Sequence, residues 1–159
     1  MRRALFLLLA STLLAACGGS KSAPTTTAAA AKPRPTQQQF VSAGNAVCIR
    51  SDRRVFRLGR LSLDPTGWAQ TAAAARRGVA DMRRLTPPAG KDSAFRRLLA
   101  LGTALANRIQ QVHDALAKKH YAKARDAQLA ATKTDTAIHH QAQKLGLTFC
   151  QQLLTNWPA

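Results

Sequence analysis

The sequence predicts an all-α protein, an antiparallel four-helix bundle, and three observations carry that expectation. Apolar residues recur at steps of three and four in four successive segments, which is the repeat of one helical face. No segment shows the sustained alternation of β-branched residues that a half-buried strand needs. Helix start and stop residues separate the four segments by short stretches, and helices joined by short connections pack up and down. Composition agrees. The 159 residues include 32 alanines and only 5% aromatic side chains, so small residues fill much of the core and favour close approach of helices.

The first helix is expected over Gln38–Leu61, with Phe40, Gly44, Val47, Cys48, Ser51, Val55 and Leu58 on one face. Phe56 falls off that face. Asp64-Pro65 is a start signal, Asp as N-cap and Pro at the first helical position. The second helix then runs to about Leu85, with Trp68, Ala72, Ala75, Val79 and Met82 inward, until Thr86-Pro87-Pro88-Ala89-Gly90 stops it.

The third begins near Lys91 or Asp92 and carries the strongest stripe, from Phe95 through Leu98, Leu105, Ile109 and Val112 to Leu116. Lys118-Lys119-His120 places cations at its C-terminal end, where the helix dipole favours them. The fourth spans about Tyr121 to Leu145, with Ala124, Ala127, Ala131, Ile138, Ala142 and Leu145 inward. Gly146 is a natural C-cap. Thr148-x-x-Gln151 has the form of a capping box, so Phe149–Thr155 is expected as a short fifth helix.

Upstream of the bundle the chain reads as an address. Arg2 and Arg3 precede an apolar run of 13 residues, Ala4–Ala16. A membrane-spanning helix needs about 20 such residues, so this run has the length of a signal-peptide core. It ends in Leu14-Ala15-Ala16-Cys17, followed by Gly18-Gly19-Ser20. This resembles the lipobox of bacterial lipoproteins at all four positions, over the first twenty or so residues of the chain. The resemblance implies a diacylglyceryl group on the Cys17 thiol and cleavage of residues 1–16. It also implies export and anchoring to the outer face of the cell membrane, or to the outer membrane in a cell that has one. No other cofactor is expected.

Residues 17–37 then form the lipidated Cys and a tether. Gly, Ser, Thr, Ala and Pro dominate it and no large apolar side chain occurs, so it is expected to be disordered. About twenty extended residues at roughly 3.1 Å each reach at most ~60 Å. The bundle domain is expected over 38–159. Its two remaining cysteines, Cys48 and Cys150, sit in an oxidising compartment and are expected to pair. A loop of about 100 residues closed in this way contributes on the order of 4–5 kcal/mol in the chain-entropy model.

Catalytic signatures are missing from the sequence. All seven acidic residues are Asp, so no mechanism with a Glu base applies. There is no Gly-x-Ser-x-Gly elbow, phosphate-binding glycine loop or Cys-x-x-Cys-His haem attachment. His113, His120, His139 and His140 lack the i,i+3 or i,i+4 spacing of helical metal ligands, so no metal is assigned. His113 and His139 are the weak candidates, if they meet across the bundle. Asp135 and His139 are i,i+4 and read as a helix-surface pair. Asp114, Asp126 and Asp135 read as solvated partners of neighbouring cations rather than a carboxylate cluster.

Charge is the remaining signal. The chain carries 24 Lys and Arg against 7 Asp, a formal net charge of +17. Arg50, Arg53, Arg54, Arg57 and Arg60 cluster on the first helix, and Arg76-Arg77 and Arg83-Arg84 repeat on the second. Guanidinium groups grip phosphate and carboxylate in bidentate fashion. Nucleic acid is not expected as a partner, because an exported chain leaves the cellular DNA behind and aromatic stacking residues are few. The expected partners are the membrane, through the lipid, and an anionic lipid, wall polymer or acidic protein. The expected role is therefore non-enzymatic binding or scaffolding in the envelope. A carrier of a small ligand, metal or haem in the bundle interior and an enzyme with an unfamiliar site are the alternatives.

Overall fold

Residues 33–58 and 64–151 are described by the computed structural model. Cys17, Arg60 and everything after Gln151 lie outside the described residues. Four α-helices follow in order: α1 Gln37–Phe56, α2 Pro65–Arg83, α3 Asp92–Ala117 and α4 Tyr121–Lys144. A 3-10 turn, Phe149–Gln151, completes the described chain, and no strand occurs among the described residues. The fold is the expected antiparallel four-helix bundle, held by a Cys48–Cys150 disulfide.

The helix ends follow local chemistry. Thr36 caps α1 by a reciprocal box: its side chain accepts from the Gln39 N–H, and the Gln39 side chain accepts from the Thr36 N–H. At the other end α1 stops at Phe56, short of the expected Leu61. The Leu58 N–H reaches back only to the Val55 carbonyl, a tightened last turn that satisfies one orphan group. Asp64 caps α2 through the Thr66 N–H, with Pro65 at the first position as expected. That helix ends at Arg83 rather than Leu85, because the Arg84 and Leu85 N–H groups reach back only three residues, to the Asp81 and Met82 carbonyls, in a tightened last turn. Lys119, at φ 56°, makes the tight reversal into α4.

Three helices share one compact arrangement, with α3 packed between α2 and α4. Arg83 donates to the Thr103 hydroxyl and Arg76 to the Gln110 amide oxygen, so α2 descends as α3 rises. Gln141 donates to the Ala94 carbonyl and ties the end of α4 to the start of α3. The first helix lies against α2 and against the 3-10 turn. Its Phe40 meets Phe95 edge-on, with ring centroids 5.5 Å apart and planes at 84°. Such a pair adds about 0.5–1.5 kcal/mol beyond the area it buries.

The apolar stripes read from the sequence form the core. Phe40, Val47, Trp68, Ala72, Met82, Phe95, Leu98, Ile109, Val112, Ala131, Ile138 and Ala142 are all buried. Phe56 stays outside it, 77% exposed.

After α4 the chain turns back along α1. Gly146, at φ +76°, makes the reversal, and Leu147 becomes fully buried against Gly44. A Cβ at Gly44 would sit 2.5 Å from Leu147 Cδ2, so a larger residue there would force the buried Leu147 side chain to move. Asn45 on α1 then secures the segment, its amide oxygen accepting from the Phe149 N–H and its NH2 donating to the Thr148 hydroxyl. A 3-10 turn, Phe149–Gln151, stands at the start of the expected fifth helix, whose remaining residues 152–155 lie outside the described residues. This return brings Cys150 to Cys48, with Cα atoms 5.1 Å apart.

The folded part also reaches further back than the tether boundary read from the sequence. Arg34 donates to the Asp92 carboxylate at 2.7 Å, and this bond holds the Asp92 carboxyl below its ordinary range.

Candidate functional site

The structure divides the arginines instead of presenting them as one open face. Arg54 on α1 is half-buried and pairs with Asp81 on α2 at 2.9 Å, a tie between helices rather than a free cation. Arg76 and Arg83 turn toward α3 and hydrogen-bond there. Arg50, Arg53, Arg57, Arg77 and Arg84 remain exposed. The four ion pairs among the described residues use none of these five.

The histidines occupy separate settings. His113 on α3 bonds the Pro65 carbonyl at the start of α2 over 2.9 Å. A carbonyl only accepts, so Nδ1 carries the proton. Its Nε2 stands 3.9 Å from the Asp114 carboxylate. His139, on α4, lies beside Asp135, with Nε2 3.3 Å from an Asp135 carboxylate oxygen. Burial, and secondarily the charge of His140, lowers its pKa. Among the described residues no group of three or more His, Cys, Asp or Glu side chains is placed to hold a metal ion, and no described helix is long and apolar enough to cross a membrane.

Two of the three central aspartates sit as expected. Asp114 and Asp126 line a shallow groove of about 530 Å³ between α3 and α4, among Arg108, Lys118 and Lys123. Asp135 does not. It is 8% exposed and faces the interior, so the reading of Asp135 and His139 as a surface pair is corrected. Asp135 follows the inward Ala131 by four residues and precedes the inward Ile138 by three. That spacing was the signal for its position; its charge argued the other way.

Asp135 looks into a half-open cavity of about 110 Å³ lined by all four helices and Cys150. Val47 and Val55 come from α1, Val79 and Met82 from α2, Leu98 and Ile109 from α3, and Ile138 from α4. The polar side chains at its wall are Ser51, Thr71 and Asp135. Thr71 spends its proton on the Gly67 carbonyl. Asp135 Oδ2 faces His139 Nε2 across 3.3 Å, and that nitrogen is buried without a hydrogen bond. Burial pushes the Asp135 carboxyl up to about 7. Arithmetic on charge alone could not have located this site, because the cavity depends on how four apolar faces fail to close.

No protein-family model, curated protein or solved structure matches the chain.

Proposed function

We propose that this protein is a lipid-anchored, non-enzymatic binding protein of the cell envelope that contacts an anionic partner through exposed arginines. The observation that carries the binding role is the set of five exposed guanidinium groups, Arg50, Arg53, Arg57, Arg77 and Arg84, outside every ion pair among the described residues. Region 38–159 carries 19 basic against 7 acidic residues, so the long-range field adds attraction to any anionic surface. The anchoring role rests on the Leu14-Ala15-Ala16-Cys17 sequence and its resemblance to a lipobox. A diacyl group holds a protein stably where a single chain does not.

Both halves have direct tests. Cys17→Ala is expected to abolish incorporation of labelled palmitate and to leave the precursor uncleaved; labelling that persists refutes the anchor. For the partner, the protein is mixed with anionic and with zwitterionic vesicles and with purified wall polymer over a salt series. Attraction confined to ~10 Å at 0.1 M salt should fade as salt rises. Replacing the five exposed arginines together by Gln should remove the salt-dependent part. Equal binding by the substituted protein, or none by either at low salt, overturns the arginine role.

A further inference from the structure

The bundle interior offers a second, independent feature. Water is a poor filling for the cavity. A volume of about 110 Å³ would hold three or four molecules at ~30 Å³ each, and each needs two to four polar partners. The wall provides three polar side chains, and Thr71 has already committed its proton. Everything else at the wall is apolar apart from backbone. An apolar cavity of ~150 Å³ takes up benzene, so this one suits a single ring or a short alkyl chain.

Asp135 decides the polar end of such a guest. Its carboxyl is buried and lines the cavity, with Oδ2 3.3 Å from His139 Nε2. A guest bearing an ammonium group would bring its own charge into an apolar space within a strongly cationic domain. A guest bearing a carboxylate would meet like charge whenever Asp135 is ionised. A hydroxyl both donates and accepts, so it pairs with the carboxyl in either protonation state. We infer that the cavity is a binding site for a small neutral molecule, one ring or a short alkyl chain with one hydroxyl, and that Asp135 is the residue that recognises the hydroxyl. The site owes nothing to the exposed arginines, and their substitution leaves it intact.

The test uses the full chain held in an amphipathic polymer, since detergent tails would compete for the cavity. Phenol, benzene and benzylamine are titrated separately, and NMR follows the Asp135 carboxyl carbon and the methyl groups of Val47, Val79 and Ile138. Phenol is expected to bind saturably and to shift these signals. Benzene should bind about tenfold more weakly, the loss of one buried hydrogen bond, and benzylamine more weakly than phenol. Asp135→Asn keeps a donor and an acceptor and should retain phenol. Asp135→Leu removes the carboxyl and narrows the space, and should weaken phenol binding at least about tenfold with helicity unchanged. Absence of a saturable phenol response overturns the proposal. So does benzene binding as well as phenol, benzylamine binding better, or Asp135→Leu binding phenol like the parent protein.

Discussion

Replacing Asp135 by Asn should change how stability depends on pH, and the size of the change follows from burial. In the unfolded chain an Asp carboxyl titrates near 3.9. In the bundle Asp135 titrates near 7. Between these values the native state holds a proton that the unfolded state has released, so stability falls as pH rises through this window. Below about pH 4 both states are protonated and no ionisation penalty applies. Above about pH 7 the full penalty is present, a gap of about three pH units at 1.36 kcal/mol each, or on the order of 4 kcal/mol. The side chain is only 11% exposed, so solvent screening reduces this little.

His139 acts in the opposite sense. Its lowered pKa means that the unfolded state takes a proton first as pH falls below about 6.5, which costs stability on the acid side. Asn at position 135 removes the carboxyl's titration and leaves that of the histidine. Urea unfolding followed through Trp68, which is buried, compares the two proteins from acid to alkaline pH. The variant should gain little on the parent near pH 4 and about 4 kcal/mol near pH 8. Two stability profiles that stay parallel across this range would refute the account of Asp135 as a carboxyl whose ionisation burial penalises.

Three further changes probe the scaffold. Replacing Cys48 and Cys150 by Ser should cost on the order of 4–5 kcal/mol, since the bridge spans 102 residues; urea midpoints with and without reductant check it, and the double variant should be indifferent to reductant. Gly146→Ala forces a side chain into a left-handed turn, 3.2 Å from Val41 Cγ2, and should cost roughly 1–2 kcal/mol in thermal unfolding. Lys119→Gly relieves the same backbone strain at φ 56° and should raise the melting temperature, by the equivalent of about 1 kcal/mol.

Much of the fold was legible because a helix writes its buried face into the sequence every three or four residues. The stripes through Phe40, Trp68, Phe95 and Ile138 are the core of the bundle. Helix starts were legible where a cap is local, as at Asp64-Pro65. They were less so where the partner is distant. The return after Gly146 is held by Asn45, Gly44 and Gln37, whose side chain donates to the Leu145 carbonyl more than 100 residues away in sequence. The arginines were countable, yet their roles diverged. Arg54 is a tie to Asp81, whereas Arg50, Arg53 and Arg57 stay exposed.

The sequence by itself determined the all-helical class and most of the inward faces, because each depends on local periodicity, and it pointed to Cys48 with Cys150 once the lipobox reading sets the third thiol, Cys17, aside. Tertiary structure alone decided that Asp135 is an interior carboxyl, that three arginines are spent between helices, and that a cavity stands at the centre. Those outcomes depend on the distances between faces of different helices. Such distances are set by how the side chains interlock, and no single stretch of sequence contains that information.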